Sequence, residues 1–420
     1  MAREKSPTLD VSPGIVQLRR FWNASATLPV LGLALAAHVA VVLTLYFSPI
    51  YRADLSTLPA DFDRATRIIH TGLLYRDFAF EYPPLAAFFY GLPGLFAQTV
   101  EAFRAAFAVQ MAVVDMLTVV LTWLWLRRMR RAAVPPLAAQ AVFLAGLGTM
   151  VVLERFDLAP AALVLLGLLL WEVGRLGWAW AMLGLGTGIK LFPIVVVPIF
   201  ALDYVRERKW RALGLGILAF VVAAVIPGLP FFLAAPEGLA QLTRYHGARG
   251  VQIESLTASP LLLGHLAGYK VTSVFAFGSQ EVTSDWSAWA ALLALPLIVA
   301  ALALVFWRYW RGSAVGERRL QFAAAAILAF MLFNKVLSAQ YLVWLYPLIP
   351  LVVARRYAVW TVYLGAIVLT QYLYPHGWND LTALHAEAIA VQVTRNALLL
   401  VLWGLLLVEG KQGRSEGVAG

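Results

Sequence analysis

The chain has 420 residues, 61% of them hydrophobic and 13% charged, where a soluble domain has roughly 45–50% and about 25%. With a mean hydropathy of +0.76, this excludes a water-soluble globule, because too few polar groups exist to cover the apolar surface that a bilayer would solvate directly. The net charge of +10 is assigned to cytoplasmic loops and their membrane lipids rather than to nucleic acid, and the lack of cysteine removes disulfides, thiol catalysis and Cys-based metal sites.

Residues 1–27 are polar, carry Arg19 and Arg20, and read as a cytoplasmic segment rather than a secretory signal. Apolar runs of about spanning length follow at 28–48, 103–126, 133–152, 159–175, 211–232, 286–307, 357–373 and 388–408. Two further runs are interrupted, 177–206 by Lys190 and Pro193, and 319–354 by Asn334, Lys335 and Gln340. Each is too long for one span, so each is read as a hairpin of two short helices, its polar break covered by protein or a wet cavity. The expectation is an all-α polytopic membrane protein of about 12 spans, with a single domain at 28–408 and a disordered cytoplasmic tail at 409–420. On that count every basic cluster, from Arg127–Arg131 through Arg206–Arg211 and Arg308–Arg319 to Arg355–Arg356, falls on the cytoplasmic side with both termini.

That topology leaves segments 49–102, 233–285 and 374–387 outside. Within the first, 61–72 reads as a short helix closed by Gly72, and the apolar stretch 84–97 as an interfacial helix too short to span. Its acids include Asp54, Asp61 and Asp63. A carboxylate just outside the membrane can deprotonate a hydroxyl that attacks a lipid-anchored electrophile, whereas the plainer reading is a solvated acid, or for Asp61 a helix cap. Pro83-Pro84 after Arg76, Glu81 and Tyr82 makes a stiff lead into the following helix.

Glu154-Arg155-Phe156-Asp157 puts three charges in one short turn, either as a self-contained ion pair or with Arg155 or Asp157 facing a cavity. Lys190 and Lys335 stand at the two breaks, where a cation at membrane depth is expensive and suits a lipid phosphate. Arg249 and Glu254 lie in HGARGVQIES, where the arginine suits a phosphate and the acid sugar hydroxyls, or the two pair with each other. Asp115, inside the second span, is read as a polar helix–helix contact, and Gly184, Gly186 and Gly188 as allowing close helix packing. The His residues show no metal-ligand spacing and no phosphate-binding Gly loop occurs, so neither a metal nor another cofactor is expected.

Five stretches, in order, resemble the integral-membrane glycosyltransferases of the GT-C superfamily, in particular the bacterial polyprenol-phosphate-mannose-dependent mannosyltransferases. They are YRDFAFEYPPLA from Tyr75, ERFDLAPAALVLLGL from Glu154, GLGTGIKLFP from Gly184, HGARGVQIES from His246 and FNKVLSAQYLVW from Phe333, the last with Gln340 and Tyr341. The resemblance implies a polyprenyl-phosphate sugar donor and a lipid or glycan acceptor. It further implies hexose transfer with inversion on the extracytoplasmic side, an Asp of the first outer loop as general base, and basic residues at the helix breaks on the phosphate. The family's usual position for that acid falls near Leu58; Asp61 is preferred here, with Asp54 and Asp63 behind it. The rivals are a transporter or lipid-linked sugar flippase, for which no repeat relates the two halves, and a non-catalytic scaffold.

Overall fold

The structure is a computed structural model and describes residues 23, 25–48, 57–70 and 72–408. Asp54, most of the N-terminal segment and the tail at 409–420 lie outside the described residues. The chain is mostly helical, as expected. Five helices among the described residues are long and apolar enough to cross a membrane: Leu28–Phe47, Val100–Arg128, Trp210–Ala234, Ser287–Trp310 and Ala386–Leu407. The other expected spans are shorter, among them Val134–Leu147, Leu158–Glu172 and Leu176–Ile189.

In chain order the α-helices of eight or more residues are α1 Leu28–Phe47, α2 Leu58–His70, α3 Ala87–Gly94, α4 Val100–Arg128, α5 Val134–Leu147, α6 Leu158–Glu172, α7 Leu176–Ile189 and α8 Val197–Arg206. They continue as α9 Trp210–Val225, α10 Gly238–Ala248, α11 Ser259–Leu266, α12 Ser287–Trp310, α13 Gly316–Leu332, α14 Arg356–Gln371 and α15 Ala386–Leu407. Helix α13 forms the centre and is buried along almost its whole length, with Ala323–Ala326 letting its neighbours approach closely. The outer wall shows the opposite pattern. In Trp210–Ala234 only 6% of the most apolar window is buried, and Leu215, Leu218, Val221 and Val222 face outward. Apolar side chains turned away from the protein are stable where lipid is the solvent.

The glycine-rich α7 packs between α6 and α9. A Cβ at Gly184 would lie 2.3 Å from the Phe220 carbonyl oxygen, and one at Gly188 would lie 3.0 Å from that of Ala224. The three small residues therefore set the helix spacing, as read from the sequence. Asp115 also behaves as expected, and joins more than helices. It accepts from the Tyr346 hydroxyl at 2.6 Å and meets His38 Nδ1 at 2.9 Å, all fully buried, tying α4 to α1 and to the segment after α13.

The two interrupted runs fold differently. At 177–206, α7 ends before Lys190 and a 3₁₀ turn leads into α8, giving the expected pair of short helices. At 319–354 only the first limb is an α-helix. After α13 the chain continues as 3₁₀ turns at Ala339–Trp344 and Ile349–Leu351. Pro347 and Pro350 lack the amide hydrogens a second α-helical limb would need.

Against the all-α expectation, segment 233–285 holds a small antiparallel sheet. Its strands are β1 Val251–Gln252, β2 Thr272–Ala276 and β3 Ser279–Thr283, in the order β1-β3-β2. The basic clusters collect at the other end of the bundle. There Arg319 contacts both Glu172 and Asp203, the Tyr309 hydroxyl reaches Asp203 at 2.7 Å, and Arg131 pairs with Glu317 at 2.6 Å. We call the two extremities the loop end and the basic end.

Candidate active site

Helix α2 begins at Leu58, so Asp61 lies within its first turns and is not its cap. The helix is amphipathic and turns Leu58, Asp61 and Ala65 inward. Asp61 is only 1% exposed. Its Oδ1 accepts from Arg64 at 2.6 Å and its Oδ2 from the Thr57 hydroxyl at 3.0 Å, with Arg155 Nη1 at 3.6 Å. Two positions on, a helix has turned through about 200°. Asp63 accordingly faces out, its side chain 58% exposed and paired with Arg67 at 2.8 Å.

Arg64 bridges Asp61 to Glu81, which it meets at 2.7 Å. Glu81 is carried on the strap from Tyr75 to Pro84. The Tyr75 hydroxyl donates to the Tyr82 carbonyl at 2.6 Å, and Pro83 is extended before the 3₁₀ turn Pro84–Ala86. Arg76 is not brought to the site. It is exposed and binds its neighbour Asp77 at 2.7 Å, a contact that holds the Asp77 carboxyl down at about 2. That turn requires Gly72, since a Cβ there would meet the Asp77 side chain at 2.6 Å.

The 154–157 turn is not a self-contained pair. Glu154 turns to Arg104, at 3.0 Å. Arg155 reaches Asp61 on one side and hydrogen-bonds Tyr374 on the other. Asp157 Oδ1 accepts from Lys190 Nζ and from the Trp344 indole, both at 2.6 Å. Lys190 is also ringed by aromatics, with Phe156, Tyr341, Tyr82 and Trp344 at 5.3, 5.5, 5.6 and 5.7 Å from ring centre to Nζ. Carboxylate and ring faces together hold a cation in a place where lone burial would be prohibitive. Gln340 sits half-buried on the same 3₁₀ turn as Tyr341 and Trp344.

Lys335 acts on the backbone. Its Nζ donates to the carbonyls of Gly247 and Arg249, and its own carbonyl accepts from the Gln252 amide at 2.9 Å. This fastens the 247–252 segment to the end of α13. Arg249 and Glu254 do not pair with each other. Arg249 donates to Ser279 Oγ at 2.8 Å, while its buried Nε has no hydrogen-bond partner. Glu254 is 2% exposed; Gln252 lies 3.4 Å from its Oε2, and Arg395 3.9 Å from its Oε1. Burial pushes Glu254 up to about 7 against the opposing pull of Arg395. Tyr341 lies within electrostatic reach of Arg249, Asp157 and Glu254, which joins the two halves of the cluster.

Sequence reasoning missed Arg64, Trp344, Tyr374 and Arg395. Only Arg395 left a clear signal, as a charge in the middle of an apolar run. Trp344 and Tyr374 read as membrane aromatics until the fold sets them against Asp157 and Arg155.

The helical bundle thus gathers carboxylates, guanidiniums, a caged lysine and aromatic rings at one end. Residues 80–338 match the model of glycosyltransferase family 87, and the chain belongs to that family. No curated protein matches the chain.

Proposed function

We propose that the protein transfers a hexose, which we take to be mannose, from a polyprenyl-phosphate donor to an extracytoplasmic lipid or glycan acceptor with inversion. The observation that carries this reading is Asp61, a buried carboxylate at the loop end linked by Arg155 and Arg64 to the rest of the polar cluster. Its two oxygens keep lone pairs beyond those engaged by Thr57 and Arg64, enough to accept an acceptor hydroxyl. In the proposed step Asp61 takes the hydroxyl proton as the acceptor oxygen attacks the anomeric carbon. The bond from that carbon to the phosphate oxygen breaks, and polyprenyl phosphate leaves with the electron pair.

The leaving phosphate needs cations where its charge develops. Arg249 supports this role with its unpartnered buried Nε. Lys190 supports it from its cage beside Tyr341, where phosphate would share the ammonium with Asp157. Lys335 then serves by holding the Arg249 loop. No cofactor is called for in this scheme, since a phosphate leaves readily once its charge is met by such cations.

The test uses purified protein in lipid nanodiscs with radiolabelled polyprenyl-phosphate-mannose and membrane lipid or polysaccharide acceptors. Transfer of label by the wild type, abolished in Asp61→Asn, is the expected result. No consumption of any polyprenyl-phosphate sugar across a donor and acceptor panel would overturn the reading in favour of a transporter.

A further inference from the structure

Beside the Asp61 site a cleft of about 670 Å³ opens, lined by Tyr75, Glu237, Arg244, Tyr245, Ala248 and Phe277. It lies against α10 and the turn of the β2–β3 hairpin. Of its three rings, Phe277 is presented from costly backbone, with φ of +47°, while Tyr75, at φ +68°, is buried at the edge of the cleft with its ring stacked on Phe232 at 5.7 Å. Phe277 and Gly278, both at positive φ, form the two-residue turn of the hairpin. Asn or Asp before Gly is the low-strain choice at such a turn. Here a phenylalanine takes the strained position, and the residue is 41% exposed. Tyr245 fixes it, its hydroxyl donating to the Phe277 carbonyl at 2.6 Å and its ring standing edge-on to Phe277 at 5.9 Å. Strained bulky residues persist where surroundings impose them, and they concentrate at ligand-binding places.

The charges of the cleft are also uncommitted. Glu237 and Arg244 face the same space, and neither forms an ion pair among the described residues. The cleft is tied by two contacts to the strap that carries Glu81. The Tyr75 hydroxyl holds the Tyr82 carbonyl at 2.6 Å, and His246 Nε2 lies 3.1 Å from the carbonyl of Glu81.

We propose that this cleft binds a saccharide, namely the sugar units of a glycan acceptor beyond the one that receives the hexose. The proposal rests on the transferase reading and deepens it, because it makes the acceptor a glycan chain or glycan-bearing lipid. A pyranose offers a C–H face to an aromatic ring, and hydroxyls at its edge to a carboxylate acceptor and a guanidinium donor. Those are the groups the cleft presents.

Saturation-transfer NMR on the full-length protein in nanodiscs, with an α-mannotriose and a β-glucan trisaccharide as probes, tests it. The wild type is expected to bind at least one trisaccharide through its ring C–H protons. Phe277→Asn, which suits the left-handed turn, should fold at least as stably by melting temperature and bind at least fivefold more weakly. Arg244→Ala should also weaken binding. Absence of a signal from the wild type, or an equal signal from a well-folded Phe277→Asn, would overturn the proposal. Asp61→Asn separates the two readings, since it should lose transfer yet bind the trisaccharide as the wild type does. If the wild type consumes no donor, the transferase reading fails while the binding result still decides the cleft.

Discussion

Asp61 and Asp63 are the same residue type two positions apart, and the helix alone separates their fates. One is buried between Thr57, Arg64 and Arg155; the other pairs with Arg67 at the surface. If Asp61 is the base, Asp61→Asn should lower the initial transfer rate by roughly 10²–10⁴, the usual contribution of general base catalysis. Asp63→Asn should stay within about twofold. Equal losses in the two variants would show that the loop, and not one carboxylate, matters.

Glu254 makes a separate prediction from its raised pKa. Unfolded, it would release its proton near 4.5; buried, it keeps it up to about 7. Across that window the folded state binds the extra proton, so stability falls as pH rises from about 4.5 to 7 and levels off beyond. At about 1.4 kcal/mol per unit the rise is worth at most about 3.5 kcal/mol. Melting temperatures measured across that range should slope downward in the wild type. The slope should shrink in Glu254→Gln, and an unchanged slope would assign the titration elsewhere.

At the scale of elements, packing around α7 offers the sharpest contrast. A Cβ at Gly184 meets the Phe220 carbonyl oxygen at 2.3 Å and Ala223 Cβ at 3.0 Å, and neither can rotate away. Gly184→Ala should therefore force α7 and α9 apart and cost about 1–3 kcal/mol, read as a lower melting temperature. At Gly177 nothing lies within 4 Å, so Gly177→Ala should be neutral or slightly stabilising.

The G-x-G-x-G pattern was legible because small residues in an apolar run have few other uses. The 3₁₀ run after α13 was not. An apolar stretch does not tell one helical period from another, and the prolines at 347 and 350 were outweighed by hydropathy. The β2–β3 hairpin was missed for a related reason. Its strands hold Thr, Val and Phe, but its turn is Phe-Gly rather than Asn-Gly. The candidate site was half legible: Asp61, Glu81, Arg155, Asp157, Lys190 and Tyr341 converge, while Arg76 and Asp63 face solvent. Charge in a loop marks candidates, but only the fold selects which of them turn inward.

At the scale of the molecule, the distribution of charge predicts which end faces which side. The basic end concentrates arginines on α8, α12, α13 and the turns after α4, while the loop end carries the carboxylate cluster. Arginine beside a span is retained on the cytoplasmic side, so the loop end should face outward. A donor with its sugar on the outer face requires the same orientation, so this inference from charge also bears on the chemistry. The chain has no cysteine, which makes a single engineered thiol free of background. Lys270 and Arg311 are both exposed and flank the 24-residue α12 on opposite ends. In intact cells a membrane-impermeant maleimide should label the Lys270→Cys variant and spare the Arg311→Cys variant until the membrane is permeabilised. The reverse pattern would place Asp61 and its cluster on the cytoplasmic face. A donor presenting its sugar outside could then not reach the proposed base, and the transfer scheme would have to run on a cytoplasmic sugar instead.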